Sequence, residues 1–163
     1  MTSFFDITST LPWPNAIGKR TAVGPLVGAA ESEAISELAR TTPLILVITA
    51  TTAAAHNLAS ELPFFLSDDR EILLVPDWET LPYDNFSPHE DIVSDRLKAL
   101  SRLPTLKSGV VIVSVTTLMH RLAPRHFIDA GVLSLKTGET LDAEQFVRNL
   151  TRNGYRSVDT VYE

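Results

Sequence analysis

Apolar and polar positions along the chain keep two rhythms in alternation. Leu44 to Thr49 is a continuous apolar run suited to a buried parallel strand, and Thr51 to Leu62 follows as an alanine-rich helix that Pro63 is expected to end. Glu71 to Val75 predicts a strand. His89 to Leu103 predicts a helix, with Ile92, Val93, Leu97, Leu100 and Leu103 at helical spacing. Gly109 to Val115 is the strongest β signal in the chain, and Thr116 to Leu122 predicts a short helix that Pro124 stops. Upstream, Thr21 to Leu26 reads as a strand, Val27 to Ala30 as a tight turn, and Glu31 to Arg40 as a helix with apolar residues at 34, 35, 38 and 39. Strands alternating with helices predict an α/β fold with a doubly wound, mainly parallel sheet and helices on both faces.

After Arg125 the pattern changes. Val132 to Lys136 predicts a strand, Thr137-Gly138-Glu139 a turn, Asp142 to Asn153 a helix and Tyr155 to Tyr162 a strand: the start of a small α+β domain. Phe127, Leu141, Phe146, Val147, Leu150, Tyr155 and Val158 supply half of a core that this stretch is too short to close. The chain stops at Glu163 inside a predicted strand, as a piece of a longer polypeptide would.

Composition narrows the functional classes. The 163 residues are 44% hydrophobic, enough for a sizeable core. The longest apolar run, Leu44 to Ile48, falls far short of the roughly 20 residues that span a bilayer, and Met1 to Asn15 lacks the pattern of a secretory signal. The cytoplasm is the expected compartment. With no cysteine there is no disulfide framework, thiol nucleophile or thiolate metal site. A formal net charge of -6 argues against this stretch binding nucleic acid by itself, because such affinity comes mostly from Lys and Arg neutralising phosphates. Arg96, Lys98, Arg102 and Lys107 lie close together, but Asp91 and Asp95 beside them make a solvated helix face the simpler reading.

The strand–turn–helix at the start invites comparison with a phosphate loop, G-x-x-x-x-G-K-[ST], in which backbone amides cradle phosphates, a Lys reaches the β/γ-phosphates and a hydroxyl serves magnesium. Laid on this chain the motif covers Pro25 to Ser32. Gly28 keeps the turn. Ala30 replaces the second glycine, Glu31 replaces the lysine, and only the hydroxyl of Ser32 survives. A carboxylate facing phosphate charge in a partly desolvated loop costs on the order of several kcal/mol, so tight triphosphate binding is not expected. No catalytic residue, cofactor site or metal site is assigned. Histidines 56, 89, 120 and 126 do not form a metal spacing, and His89-Glu90-Asp91 reads as the capped start of a helix. The loop from Pro76 to Pro88 is long and carries Trp78, Tyr83 and Phe86. Aromatic residues there would suit base stacking, but Asp77, Glu79, Asp84, Glu90 and Asp91 make the segment acidic, so a domain-docking role is the better expectation.

Three passages carry a resemblance: Pro76-Asp77-Trp78-Glu79-Thr80-Leu81-Pro82-Tyr83-Asp84-Asn85-Phe86-Ser87-Pro88-His89, then Asp95-Arg96-Leu97, and the run from Gly109 to Leu122. Together they resemble the N-terminal region of bacterial transcription-repair coupling factors (Mfd), in register from about Arg20 to Glu163. The resemblance implies an N-terminal extension over 1–19, a UvrB-like, degenerate helicase (P-loop-like) domain over 20–125, and over 126–163 the first part of an adaptor domain that recruits UvrA. Members of that family are ATP-dependent DNA translocases that displace stalled RNA polymerase and hand the lesion to nucleotide excision repair. Their ATP, magnesium, DNA and RNA polymerase sites belong to domains absent here. UvrB proteins carry a long Tyr-rich hairpin at the loop after the third predicted strand; this chain has a shorter loop without the Tyr cluster, which removes the expectation of lesion probing. The implied role is a non-catalytic module. The residues alone also leave open an autonomous nucleotide-binding α/β enzyme, weakened by the missing Lys, or a stand-alone protein-interaction domain.

Overall fold

The structure is a computed structural model that describes residues 11–14, 16–66, 70–80, 83–131, 135, 137–153 and 155–160. In chain order the described elements are α1 (Ala30–Thr41), β1 (Leu44–Thr49), α2 (Thr52–Phe65), β2 (Ile72–Val75), α3 (Glu90–Arg102), a 3-10 turn (Leu103–Thr105), β3 (Gly109–Ser114), α4 (Val115–Leu118), α5 (Arg125–Gly131) and α6 (Ala143–Arg152). They divide into two compact units, Met1–Leu122 and Ala123–Glu163.

The first unit is built on a three-stranded parallel sheet of order β1-β3-β2. The β1–α2–β2 connection passes over β3, and the β2–α3–β3 connection returns in the opposite sense. Parallel crossovers keep one hand, so the two helices must lie on opposite faces. The cores confirm it. Ala55, Leu58 and Leu62 of α2 pack on Val110 and Ile112 with Val47, Ile72 and Leu74 around them. On the other face Ala99 of α3 meets Val75, Val111 and Val113, with Leu73, Leu103 and Leu106. The central strand is buried along its whole length. Gly109 opens it at φ 145, and a Cβ there would collide with the backbone carbonyl of Glu71, whose oxygen accepts from the Val110 amide at 2.8 Å.

Side chains set the helix starts. Thr51 accepts from the Ala54 amide, Ser114 from the Thr117 amide, and Asp142 from the Gln145 amide, the hydrogen bonds that satisfy otherwise orphaned donors. Pro63 does not end α2 as expected. It sits inside the last turn, and the helix runs on to Phe65 because the lost donor comes near an end where few intrahelical bonds remain to be broken. The expected strand over Thr21 to Leu26 does not form. Among the described residues no ladder partner reaches them, and all but Leu26 are exposed. The short helix predicted to Leu122 is shorter, ending at Leu118.

In the second unit α6 spans nearly the predicted helix, and α5 is an element the sequence pattern did not suggest. Residues 155–160 form no strand. The strand predicted for Val132 to Lys136 lies, apart from Leu135, outside the described residues. Among the described residues no helix is long and apolar enough to cross a membrane.

Candidate functional site

The degenerate phosphate loop places its residues in three different environments. Gly28 turns the chain at φ 62, the left-handed conformation that a glycine adopts without strain. Ala29 caps α1 without any side-chain hydrogen bond, and Glu31 and Glu33 stand in the first helical turn, with Glu31 exposed. Ala30 begins the helix. Ser32, the only polar loop position that the motif shares with a working phosphate loop, is fully buried and points away from the turn: its hydroxyl donates to Glu61 of α2 at 2.8 Å. The oxygen that a nucleotide site would offer to magnesium is committed to a helix–helix hydrogen bond.

In doubly wound sheets ligands bind outside the carboxyl ends of the strands. There the chain has an open cavity of about 550 Å³ lined by Thr52, Asp77, Glu79, Thr80, Thr116, Met119 and His120. It holds two carboxylates and no Lys or Arg, a poor setting for phosphate. Asp77, just past β2, gathers this end of the sheet. Its carboxylate accepts from Thr117 at 2.7 Å and Thr116 at 3.0 Å, and from the Glu79 amide at 3.3 Å. Partial burial pushes the Asp77 carboxyl up, but the two threonine hydroxyls, the Glu79 amide and the nearby His120 outweigh it and hold the group below the usual carboxylate range. Among the described residues no three His, Cys, Asp or Glu side chains are grouped to hold a metal ion.

Arg96 is the residue that sequence reasoning misplaced. Instead of lying on a solvated face it is 1% exposed. Its Nη1 donates to the Pro76 carbonyl at 2.7 Å, and its guanidinium lies 4.7 Å from the centre of the Trp78 ring. Burial lowers the guanidinium pKa, and Asp77 opposes that shift. The signal was available: Val93, Arg96 and Leu100 follow helical spacing, which puts Arg96 on the inward stripe of α3. Arg102, by contrast, is a surface residue paired with Glu71 at 2.7 Å. The four basic positions do not form one strip.

The aromatic loop is divided in the same way. Trp78 is held against Arg96, whereas Tyr83 and Phe86 are fully open to solvent at 103% and 81% exposure. Two non-glycine residues of this loop, Glu79 (φ 57) and Tyr83 (φ 77), take the left-handed conformation, so its course is set against local preference.

No family model matches the chain. Individual relatives do. It is 40% identical to the transcription-repair-coupling factor of Escherichia coli K12 over 92% of its own length, and 39% identical to that of Haemophilus influenzae over 86%. The transcription-repair-coupling factor of Mycobacterium bovis is 38% identical over 77% of the chain. The chain spans 13%, 12% and 10% of these proteins respectively. With an open parallel α/β sheet of the expected class and identity at this level over most of its residues, the chain belongs to the family of transcription-repair-coupling factors, of which it matches the N-terminal region.

Proposed function

We infer that this chain is a non-catalytic module of a transcription-repair-coupling factor: a platform that positions other domains and does not itself turn over nucleotide. The observation that carries the reading is the Ser32–Glu61 hydrogen bond. A phosphate loop needs a lysine and an outward hydroxyl; here the lysine position is an exposed glutamate and the hydroxyl is sealed between α1 and α2. The acidic cavity at the strand ends points the same way, because phosphate would meet Asp77 and Glu79 there with no Lys or Arg in the lining.

In the longer protein, ATP hydrolysis with magnesium, DNA translocation and RNA polymerase contact then fall to other domains. Recruitment of UvrA falls to the adaptor that residues 126–163 begin. The α6 stripe of Phe146, Val147 and Leu150 supports a role for this second unit in packing with further chain, since α6 contains no buried residue among those described. Tyr83 and Phe86, exposed on a loop of unusual backbone, are the side chains best placed for domain docking. The competing reading, an autonomous nucleotide-binding enzyme, has no observation in its favour.

Calorimetric titration with magnesium-ATP at millimolar nucleotide tests the proposal. No binding heat and no turnover are expected. A stoichiometric micromolar site would overturn it. The UvrA assignment is tested separately, by comparing UvrA affinity of this chain with that of one extended by about a hundred residues, a domain-scale addition. Equal affinities would remove the adaptor from the account.

A further inference from the structure

The charge of this chain is unevenly placed. Of its 20 Asp and Glu residues six lie between Asp77 and Asp95, a segment without Lys or Arg, and the other 14 are matched by the chain's 14 Lys and Arg. The whole net charge of -6 therefore falls on the aromatic loop and the first turns of α3. Glu79, Asp84, Glu90, Asp91 and Asp95 are exposed there, and Tyr83 and Phe86 are interleaved with them along the chain, both open to solvent. The cavity beside the loop continues the pattern. Asp77, Glu79 and Thr80 line it together with Thr52, Thr116 and Met119, and no Lys or Arg does.

Sign and ring chemistry together select the partner. Clustered carboxylates repel one another and any polyanion, so nucleic acid is disfavoured and a cationic partner gains most from this segment. The aromatic rings narrow the kind of cation. A guanidinium lies flat on a ring face and also forks to carboxylate oxygens, whereas an ammonium is a compact, strongly hydrated point charge. The loop already accommodates one such group, the Arg96 guanidinium at 4.7 Å from the centre of the Trp78 ring. Tyr83 and Phe86 present the same ring chemistry outward. A second copy of this chain is a poor complement. Arg40 is paired with Glu37, Arg70 donates to the Thr42 and Pro43 carbonyls, Arg96 is buried and Arg102 is paired with Glu71. The occupant that fits is a different, basic polypeptide segment.

We propose that the loop from Asp77 to Pro88 and the start of α3 dock a basic, arginine-bearing polypeptide segment, with Tyr83 and Phe86 stacking on guanidinium groups and Glu79, Glu90 and Asp95 pairing with them. This rests on the docking reading of the loop and gives that reading its partner chemistry.

The test is calorimetric titration of the full chain with four probes: a short peptide of alternating Arg and Ala, its Lys counterpart, an uncharged peptide of Leu and Ser, and single-stranded oligothymidylate. The Arg peptide should bind, more weakly as salt rises, and the Lys peptide should bind less tightly than it does. Tyr83→Ala and Phe86→Ala should each weaken Arg-peptide binding about two- to fivefold. The combined substitution Glu79→Gln, Glu90→Gln and Asp95→Asn should weaken it about tenfold. Neutralising three exposed carboxylates of the second unit instead, by Glu139→Gln, Glu144→Gln and Asp159→Asn, should leave it unchanged. All of these positions are exposed, so circular dichroism of the variants should match that of the unmodified chain. Equal losses from the two sets of carboxylates, with Tyr83→Ala and Phe86→Ala silent, reduce the attraction to net charge and overturn the proposal. An uncharged peptide that binds as well as the Arg peptide, and loses affinity on Tyr83→Ala, overturns the basic partner while retaining the docking loop. Binding of no peptide at all, or of the oligothymidylate, overturns both.

Discussion

The two faces of one sheet are covered to different extents. On one, α2 runs fourteen residues from β1 to β2 and crosses all three strands, so Val47 of β1 lies under it together with Ile72, Leu74, Val110 and Ile112. On the other, α3 connects β2 to its immediate neighbour β3 and covers only that half. Leu44, Leu46 and Ile48 are left in solvent. All six positions of β1 read alike in sequence. What separates them is how many strands each connection must cross, a property of strand order rather than of residue type.

Substitutions that sharpen this contrast differ widely in expected cost. Leu62→Ala, at a fully buried position under α2, should destabilise the chain by about 2–5 kcal/mol in urea unfolding, the range for a core leucine whose cavity cannot collapse. On the α3 face Arg96→Ala should cost about 2–3 kcal/mol, because it removes a charge-assisted hydrogen bond to the Pro76 carbonyl and leaves a void beside Trp78. Arg96→Met, which keeps most of the volume, should cost less; equal costs would mean that packing contributes nothing there. Ser32→Ala should cost about 1 kcal/mol, since Glu61 is exposed and its carboxylate regains water once the hydroxyl is gone. Leu46→Ala, measured at dilution, should fall within about 0.5 kcal/mol of the unmodified chain, as for other surface sites. A loss as large as that of Leu62→Ala would show that the two faces are equally closed.

Acid adds a further separation. Asp77 has its pKa lowered on folding, so its contribution to stability is fully present above the unfolded value, about 3.9, and is lost as pH falls through the lower folded value. Stability of the unmodified chain should therefore drop more steeply below about pH 4 than that of Asp77→Asn, with unfolding followed at a series of pH values. Parallel acid limbs would remove Asp77 from the account of this end of the sheet.

Much of the architecture was legible in the sequence because it depends on local rhythm. The three strands of the sheet, the helices between them and the capped helix start at His89 all follow from periodicity and side-chain chemistry. The failures share a different cause. Thr21 to Leu26 has strand-like composition, yet a strand exists only where a ladder partner is present, and pattern does not report partners. Pro63 was given the weight of a helix interior position when it stands in the last turn. At the candidate site, the sequence indicated which groups a phosphate loop lacked, but not that Ser32 faces Glu61, a contact between residues 29 positions apart. Arg96 was misjudged because its charge was counted before its place on the helical stripe.

The Ser32–Glu61 hydrogen bond has a mechanical consequence. In a working phosphate loop the first turn of the helix ends at the ligand, so the helix can register whether the ligand has three phosphates, two or none. Here α1 is fastened to its neighbour α2 through the very residue that would have sensed this. A ligand shifts a conformational equilibrium only by the difference in its affinity for the two states, and a turn with nothing to grip offers no such difference. On the proposed non-catalytic reading, the first unit is a fixed bracket whose geometry does not respond to nucleotide.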